Sequence, residues 1–392
     1  MSSRSSPDPR RLAILGSTGS IGRQVVDVVL AQPEAFRVVA IATGSDRETL
    51  DGQTARLRPD VAIVGPSDEA LVELATRDDV DLVVVGTGGI VSLRPVIAAL
   101  EAGKVVATAN KETLVAGGHL VMPLARDLAA RRAADAGVDD VASSPLAWLR
   151  PIDSEHSAIW QCLVGESMAA VDALILTASG GPFLDEPADL STATREMALR
   201  HPTWTMGHKI TVDSATLANK GLEVIEAHWL YDVDYDAIEV VMHPQSVVHS
   251  AVRFVDGSLK AQLGTPDMRL PIQYALTYPE RRPSPTAAAD LIEIGRLDFR
   301  APDLDRFPAL RIAREAGIAG PRASAALIAA DDVAVERFLD GTLDFTGIPR
   351  LLEAAVERFA ESGLGDPDVE QLIALDAEVR AAFATTPIGG AA

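Results

Sequence analysis

The first 110 residues alternate apolar, strand-like runs with segments of helical spacing, and this alternation restricts the fold more than any other feature. The strand-like runs lie at 11–16, 36–43, 61–64, 81–86 and 104–109. Short strands separated by helices predict βαβ units and a parallel sheet with helices on its faces. We therefore expect an α/β protein whose N-terminal part is a doubly wound parallel sheet.

The pattern changes along the chain and predicts several domains. Residues 1–152 are expected to form a Rossmann-like domain, with a polar tail at 1–10. Mixed strands, loops and helices at 153–282 predict a central α+β domain. The Pro-rich start of 283–307 indicates a linker, and the Ala/Leu/Arg/Glu-rich residues 308–392 predict a C-terminal helical bundle.

Charge and cysteine content exclude several classes of protein. The net charge of the 392 residues is −21, so the chain lacks the basic footprint of a nucleic-acid or anionic-membrane binder. Cys162 is the only cysteine, which excludes an intrachain disulfide and a multi-cysteine zinc site. The longest apolar stretch, 82–100, contains glycines, Arg94 and Pro95 and predicts no membrane span. We expect a cytoplasmic protein.

Lysine and histidine are unevenly used. Only five of the 35 basic residues are lysines, and all seven histidines fall between His119 and His249. Because arginine cannot replace a compact ammonium, each remaining lysine is a candidate functional residue. The middle of the chain is therefore the expected chemical region.

A glycine motif follows the first strand. Gly16, Gly19 and Gly22 have the spacing G-x-x-G-x-x-G and lead into a helix. Glycines at such a turn permit close backbone approach, and the helix N-terminus offers N–H groups to a pyrophosphate. The alternative is a ligand-free βα turn, but the further βαβ units favour nucleotide binding.

The end of the second strand predicts which nicotinamide is bound. Thr43 stands where an acid would favour NAD, and the turn Gly44, Ser45 and Asp46 would meet the adenosine ribose. Ser45 and Arg47 suit a 2′-phosphate, whereas Asp46 argues against one. We expect NADP(H). Asn110 and Lys111 follow the fifth strand, where they either lie near the nicotinamide or form a solvated turn.

Carboxylates in the central region suggest a metal site. Asp153 and Glu155 flank Ser154 and would project to one face at the end of a strand, where a divalent cation would relieve their repulsion. The alternative is a helix-capping Asp with an exposed Glu.

A second segment has Asp213 or Ser214 as the predicted cap of one helix running to about Tyr231. Asn219, Lys220 and Glu223 would share a face of it, either beside a metal-held phosphosugar or as a solvated face. Glu226 lies one turn further, and Gly221 indicates close packing or ligand approach.

Two loops between these segments offer phosphate ligands. Ser179 lies in the strand-to-glycine turn TASGGPF, and His201 and Trp204 lie in HPTW. Ser179 and the following N–H groups could receive phosphate oxygens, with His201 as a further donor and Trp204 as an apolar lid. The alternatives are a satisfied loop histidine and a core aromatic.

Together the ordered motifs resemble the 1-deoxy-D-xylulose 5-phosphate reductoisomerase family over about residues 11–282. They are GSTGSIG, ANKE, DSEH, SGGPF, HPTW, VDSATLANKGLEVIEAH and HPQSVVHSAVRFVDGSLKAQLGTPDMRLPIQYAL. The resemblance implies an NADPH-dependent homodimeric enzyme of non-mevalonate isoprenoid biosynthesis that uses Mg²⁺ or Mn²⁺. It would rearrange and reduce the phosphosugar 1-deoxy-D-xylulose 5-phosphate to 2-C-methyl-D-erythritol 4-phosphate.

The resemblance also implies that 1–152 is the NADPH-binding domain and that 153–282 is the catalytic domain, which binds metal and substrate. It implies residue roles as well. The metal ligands would be Asp153, Glu155 and Glu223, which with Lys111 form the catalytic set. Substrate contacts would come from Lys111, Ser154, Glu155, Ser179, His201, Trp204, Ser214, Asn219, Lys220 and Glu223. The cofactor site would be lined by Thr18, Gly19, Ser20, Ile21, Asn110, Glu112 and Gly207. Residues 201–209, with Trp204 and Met206, would form a closing flap.

Three features depart from the family pattern. The turn after the second strand reads TGSDR, position 178 is alanine where many members have glycine, and an insertion is expected roughly within 131–145. Two other readings remain: another NADP-dependent reductase of homoserine or semialdehyde type, or a non-catalytic NADP-sensing protein. A phosphorylating semialdehyde enzyme would need a cysteine nucleophile, and Cys162 lies in a helix-like apolar run.

Overall fold

The computed structural model describes residues 8–137, 140–284, 286–360 and 365–386. They form two compact units. The first unit comprises Met1–Asn110, Pro123–Asp153 and Asp267–Thr286, and the second comprises Lys111–Met122, Ser154–Pro266 and Ala287–Ala392. These units divide the chain differently from the domain boundaries expected at 152, 282 and 307, which remain predictions.

The first unit is built on a parallel sheet of strand order β3-β2-β1-β4-β5-β6. Its strands are β1 (Arg10–Leu15), β2 (Phe36–Thr43), β3 (Val61–Val64), β4 (Leu82–Val85), β5 (Val105–Thr108) and β6 (Leu149–Pro151). This is the doubly wound order of dinucleotide-binding sheets. The strands are added outward in one direction from β1 to β3 and in the opposite direction from β4 to β6, so the strand order reverses between β1 and β4. The predicted parallel sheet is confirmed.

Helices connect these strands at the predicted places. They are α1 (Ser20–Ala31), α2 (Arg47–Leu57), α3 (Asp68–Thr76), α4 (Leu93–Glu101), α5 (Lys111–Ala136) and, later in the chain, α10 (Arg269–Thr277). Side chains of Asp46 and Ser67 accept backbone N–H groups and so begin α2 and α3. Helix α5 is kinked at Gly117 and contributes residues to both units.

Helix α10 belongs to the core of the first unit. Its Ile272 and Leu276 are buried in the same cluster as Ile14 and Val84 of the central strands. The amide of Gln32 on α1 also donates a hydrogen bond of 2.9 Å to Gln273. These contacts explain why residues 267–282, which were expected in the catalytic domain, pack with the nucleotide-binding sheet.

The second unit contains a mixed sheet of strand order β10-β9-β7-β8. Its strands are β7 (Val171–Ala178), β8 (Ile238–Met242), β9 (Val248–Phe254) and β10 (Leu259–Leu263). Strands β7 and β8 are parallel, while β9 runs antiparallel to β7 and β10. This sheet and its helices confirm the expected α+β character of the central region.

The helices of the second unit include those of the predicted C-terminal bundle. They are α6 (Ser154–Leu163), α7 (Arg195–Ala198), α8 (His208–Thr216), α9 (Ala218–Tyr231), α11 (Leu291–Ile294), α12 (Pro308–Ala319), α13 (Pro321–Leu339), α14 (Gly347–Phe359) and α15 (Val369–Phe383). Helix α9 packs on α12 so closely that a Cβ added to Gly221 would lie 2.4 Å from the methyl carbon of Ala313. Of the two interpretations of Gly221, the structure supports close packing.

The predicted single helix from Asp213 to Tyr231 is wrong. Leu217 adopts a left-handed backbone (φ 60°) and separates α8 from α9. Asp213 and Ser214 therefore lie inside α8 and cap nothing. Gly207 is the N-cap of α8, with no side-chain cap.

The segment expected to carry an insertion is partly helical. Helix α5 covers 131–136, and beyond it the Trp148 indole donates to the carbonyl oxygen of Ala142 at 2.8 Å. Residues 138 and 139 of this predicted insertion lie outside the described residues. In the part of the chain that the structure describes, no helix is long and apolar enough to cross a membrane.

We predict that the glycine turn after β1 tolerates no side chain at Gly22. A Cβ there would lie 2.2 Å from the carbonyl oxygen of Gly16 and 2.5 Å from the backbone of Ser17. Gly22→Ala should lower the free energy of unfolding by about 1–3 kcal/mol, measured by urea titration. Gly52→Ala is the matched control, because Gly52 lies in α2 with no atom within 4 Å of the added Cβ. It should raise stability by about 0.5–1 kcal/mol, and equal effects at the two sites would contradict the packing argument.

Candidate functional site

Two carboxylates and an ammonium group meet at the center of the second unit. Lys220 Nζ on α9 donates to Glu155 Oε1 at 3.1 Å and makes a short hydrogen bond to Glu223 Oε2. Glu223 is 1% exposed and Lys220 4%, and the Asn219 amide donates to Glu223 Oε1 at 2.6 Å. The predicted shared face of Asn219, Lys220 and Glu223 therefore exists, and it is buried instead of solvated.

Lys111 at the start of α5 adds a second ammonium group to this cluster. Its Nζ lies 3.2 Å from Glu223 Oε1 and 3.5 Å from Glu226 Oε2. Glu226 Oε2 also lies 3.3 Å from His156 Nε2, and both side chains are buried. Glu226 thus lies between Lys111 and His156. In the sequence, only its spacing of three residues from Glu223 indicated that it would lie near this cluster.

The donor set fits a hard divalent cation. Glu155 and Glu223 each present a carboxylate oxygen within 4.8 Å of the other. Glu223 is buried and Glu155 half-buried, so their charges repel with little screening, and Lys220 supplies a compensating positive charge. Oxygen-only donors are those that Mg²⁺ and Mn²⁺ prefer. Asp153 directly precedes α6 and ends the first unit, and Ser154 Oγ donates to Glu155 Oε2 at 2.5 Å.

A second group of predicted residues lies around the glycine turn after β7. The Ser179 hydroxyl is 3.0 Å from His201 Nε2, and the N–H of Gly181 donates to Ser179 Oγ at 3.4 Å. A Cβ on Gly181, which has φ +61°, would lie 2.8 Å from the carbonyl oxygen of Ser214. Ser179, His201 and Ser214 therefore belong to one tightly packed region.

His201 begins the segment expected to form a flap. Its Nδ1 accepts hydrogen bonds from the N–H groups of Thr203 (3.1 Å) and Trp204 (2.9 Å). The neutral ring therefore carries its proton on Nε2 and can donate to Ser179 Oγ. Burial lowers the pKa of His201 below its ordinary value of 6.5. Residues 201–207 have no regular structure, and Trp204 is half-buried, 6.1 Å from the His249 ring.

The nucleotide turn of the first unit has the expected form. Gly16 has φ +84°, and a Cβ there would collide with the backbone of Gly86 at 2.7 Å. Gly19 and Ser20 are exposed at the start of α1, while Thr18 is buried against Thr43, hydroxyl to hydroxyl. Ile21 is half-buried one residue into the helix. The free N–H groups of this helix start suit an anionic ligand.

Asp46, the acidic residue after β2, already has hydrogen-bond and ion-pair partners within the protein. Asp46 accepts the N–H of Thr49 as the cap of α2 and forms an ion pair of 3.0 Å with Arg23. The backbone hydrogen bond from Thr49 lowers the pKa of Asp46, helped by Arg23. Gly44 and Ser45 remain exposed beside this pair. Arg23, which the sequence analysis missed, offsets the negative charge of Asp46 at this turn.

Asn110 lies after β5 and is 1% exposed. Its side-chain amide donates to the carbonyl oxygens of Thr87 and Gly89, both at 2.9 Å. Asn110 thus orders the loop after β4, beside the point where the strand order reverses. The other two predicted cofactor residues, Glu112 and Gly207, belong to the second unit, where Glu112 is buried and Gly207 is exposed.

Cys162 is unsuited to nucleophilic chemistry. It is buried in α6, and burial raises the pKa of its thiol to about 11. A thiol with that pKa is almost entirely protonated near neutral pH. The structure therefore offers no activated form of the only cysteine.

Three segments of the chain match domains of a single family. Residues 12–70 and 64–118 match 1-deoxy-D-xylulose 5-phosphate reductoisomerase. Residues 149–231 and 263–382 match C-terminal domains described for the same reductoisomerase.

Relatives and solved structures agree over nearly the whole chain. The 1-deoxy-D-xylulose 5-phosphate reductoisomerase of Pelotomaculum thermopropionicum is 46% identical over 389 residues, covering 94% of this chain and 96% of the relative. That of Shouchella clausii is 45% identical, covering 95% and 98%. The Zymomonas mobilis enzyme in complex with NADPH has 34% identity and a TM-score of 0.83, covering 96% and 98%. A reductoisomerase complex with NADPH, fosmidomycin and magnesium has 37% identity and a TM-score of 0.85, covering 95% and 97%.

The His201 geometry predicts a pH effect on stability. Because the folded pKa lies below 6.5, the unfolded chain binds this proton more readily, so stability falls as pH drops below about 6.5. His201→Asn can keep an acceptor for the Thr203 and Trp204 N–H groups but cannot titrate. Its urea midpoint should therefore fall less than that of the native protein between neutral pH and about pH 5.

His208→Asn, at an exposed position in the same region, controls for the loss of a histidine. The interpretation of His201 is wrong if His201→Asn and the native protein lose stability in parallel.

Proposed function

The chain belongs to the 1-deoxy-D-xylulose 5-phosphate reductoisomerase family, and on that premise we propose how its residues divide the work of the reaction. The enzyme rearranges and reduces 1-deoxy-D-xylulose 5-phosphate to 2-C-methyl-D-erythritol 4-phosphate, with NADPH and a divalent cation. This reaction is a step of non-mevalonate isoprenoid biosynthesis.

One observation carries the assignment of the reacting center. Glu155 and Glu223, on different helices, converge on the ammonium group of Lys220. We assign these two carboxylates, with Asp153 two residues before Glu155 in the sequence, as the ligands of Mg²⁺ or Mn²⁺. When bound, the metal polarises the substrate's carbonyl and hydroxyl oxygens as a Lewis acid, and NADPH supplies the electrons for the reduction.

The two lysines of the center have different tasks in this proposal. Lys111 Nζ, between Glu223 and Glu226, is placed to donate hydrogen bonds to the hydroxyl and carbonyl region of the substrate. Lys220 balances the negative charge of the carboxylates and contributes to the phosphate end. Ser154, whose hydroxyl orients Glu155, faces the same region. In a chain of charge −21, these ammonium groups supply the local positive charge that an anionic substrate needs.

We place the phosphate group of the substrate at Ser179, His201, Ser214 and Asn219. The Ser179–His201 hydrogen bond and the N–H of Gly181 supply donors in a region where burial keeps the imidazole neutral. A neutral imidazole binds phosphate through the N–H on Nε2. The segment that follows, with Trp204, would close over the sugar and exclude water during the reaction.

The two rival functions fit these observations less well. A phosphorylating semialdehyde dehydrogenase needs a reactive cysteine, and the thiol pKa of Cys162 is raised by burial. A homoserine-type dehydrogenase or a nucleotide sensor needs no buried carboxylate pair with two lysines. The homodimeric state and the cytoplasmic location implied by the sequence remain part of the proposal.

We predict that turnover depends on the metal and on its ligands. The native enzyme should oxidise NADPH in the presence of 1-deoxy-D-xylulose 5-phosphate and Mg²⁺, and stop when EDTA is added. Asp153→Asn and Glu223→Gln should each lower kcat roughly 10³-fold, since Lewis-acid stabilisation is worth several kcal/mol. NADPH binding, followed by nicotinamide fluorescence, should remain unchanged.

Glu166→Gln is the matched control. Glu166 is a surface carboxylate of the same unit that pairs with Lys260 at 2.7 Å. It should retain native turnover. Retained turnover in both ligand variants, or oxidation of NADPH that continues in EDTA, would refute the metal assignment.

A further prediction concerns the 2′-phosphate of the cofactor. Arg23, with Ser45 and Arg47, is proposed to bind it while Asp46 is occupied as a helix cap. Arg23→Gln should raise KM for NADPH about tenfold and leave KM for NADH within about twofold, because only the charge-assisted contact to the phosphate is lost. Arg37→Gln, which breaks a surface ion pair with Asp60 in the same unit, should change neither constant. Equal native KM values for NADPH and NADH would exclude this 2′-phosphate site.

A further inference from the structure

A second buried charge cluster lies in the second unit, and the proposed reaction does not use it. Lys209 Nζ, in the first turn of α8, lies 2.9 Å from Asp213 Oδ2 and 2.6 Å from Asp331 Oδ2. Asp332 Oδ1 is 3.5 Å away. Asp331 is 1% exposed and lies on α13, in the C-terminal bundle. The cluster therefore joins α8 to a helix more than a hundred residues later in the chain.

The cluster extends to a third helix. Arg380 on α15 makes a short ion pair with Asp332 and a second one, of 2.7 Å, with Asp376. Asp332 is therefore bound from the side of α15 as well as from Lys209. Through Asp331 and Asp332, α13 is thus linked both to the first turn of α8 and to α15.

Stability alone does not account for such a cluster. Removing carboxylates from water is costly, and a well-packed apolar replacement of a buried ion pair is often equally stable or more stable. Directional ion pairs differ from apolar contacts because they fix the rotation and the register of the helices that carry them. Burial raises the pKa of Asp331, opposed by the attraction of Lys209. For Lys209, burial acts to lower the pKa, but the attraction of Asp213 and Asp331 outweighs it.

The position of α8 explains which function the cluster serves. The last two residues of the predicted flap 201–209, His208 and Lys209, lie in the first turn of α8, and Ser214 of the same helix follows Asp213. The carbonyl oxygen of Ser214 packs against Gly181, in the turn that carries Ser179. A rotation of α8 would consequently change the spacing among the side chains assigned to the phosphate, and would also move the end of the flap.

We propose that Asp331 is a positioning residue for phosphate binding, which acts through Lys209 to fix the orientation of α8. This inference rests on the proposed function, because it takes Ser214 and the flap as parts of the phosphate pocket. It gives the C-terminal bundle a definite role, namely to hold the helix that contains the end of the flap. Arg380 on α15 supports the same contact by pairing with Asp332, the neighbour of Asp331 on α13.

Two variants test this role. Asp331→Asn removes the charge and keeps the shape, while Asp331→Leu replaces the ion pair by an apolar contact that can preserve stability. Both should raise KM for 1-deoxy-D-xylulose 5-phosphate between about tenfold and hundredfold, the range expected when a binding group is slightly displaced. The kcat and the KM for NADPH should stay within about twofold, since loss of uniform binding raises KM alone.

A binding measurement that needs no turnover accompanies the kinetics. Calorimetric titration with inorganic phosphate should give a weaker affinity for both variants than for the native protein, in the same proportion as KM. Glu353→Gln is the matched control, because it breaks an ion pair of 2.9 Å with Arg311 elsewhere among the bundle helices. It should change neither KM nor phosphate affinity.

The possible results separate the inference from the proposed function. A native KM and native phosphate affinity in Asp331→Asn, or in a folded Asp331→Leu, would overturn the positioning role. A loss of kcat that follows a lower melting temperature, with KM unchanged, would also overturn it by showing a purely structural contribution. If the native protein does not turn over the phosphosugar, the proposed function fails, and the phosphate titrations still decide the role of Asp331.

Discussion

The proposed active center depends on one interaction, the sharing of the Lys220 ammonium group by Glu155 and Glu223. In a protein of charge −21, two carboxylates this close repel each other, and a cation beside both offsets that repulsion. Lys220 on α9 donates to both carboxylates and so links α6 to α9, and Lys111 adds a second positive charge. Carboxylate oxygens and ammonium groups are therefore already assembled at the place that we propose for the divalent cation and the anionic substrate.

The same arrangement recurs at Lys209, which suggests why this chain keeps lysine where it does. Three of the five lysines, Lys111, Lys209 and Lys220, contact two or more carboxylates each. An ammonium group donates in several directions from one atom. A planar guanidinium group either reaches two carboxylates through different nitrogens, as Arg380 does, or directs several donors at one carboxylate. The surface pairs Arg11–Asp81 and Arg269–Asp267 are of that second kind.

The sequence predicted those features that depend on neighbours along the chain. The parallel sheet follows from buried strands separated by helices, and the contact between Asn219 and Glu223 follows from their spacing of four residues. It did not predict the pairs Arg23–Asp46 and Lys209–Asp331. These join different elements, and their register is set by tertiary packing, which no local pattern contains. The break at Leu217 was also missed. Leucine has a high helix propensity, so the local sequence predicts a continuous helix there.

That break links the local backbone to the site. A left-handed conformation costs a residue with a side chain roughly 1–2 kcal/mol. Leu217 is 2% exposed, and burying a leucine side chain contributes about as much in return. The Thr216 hydroxyl also accepts the N–H of Ala218 at 3.2 Å, which starts the next helix. In one continuous helix, Ser214 and Asn219 would be separated by five residues and would point in directions about 140° apart. The turn at Leu217 removes that constraint, so that α8 can be oriented by Lys209 and the bundle while α9 is oriented by the carboxylates.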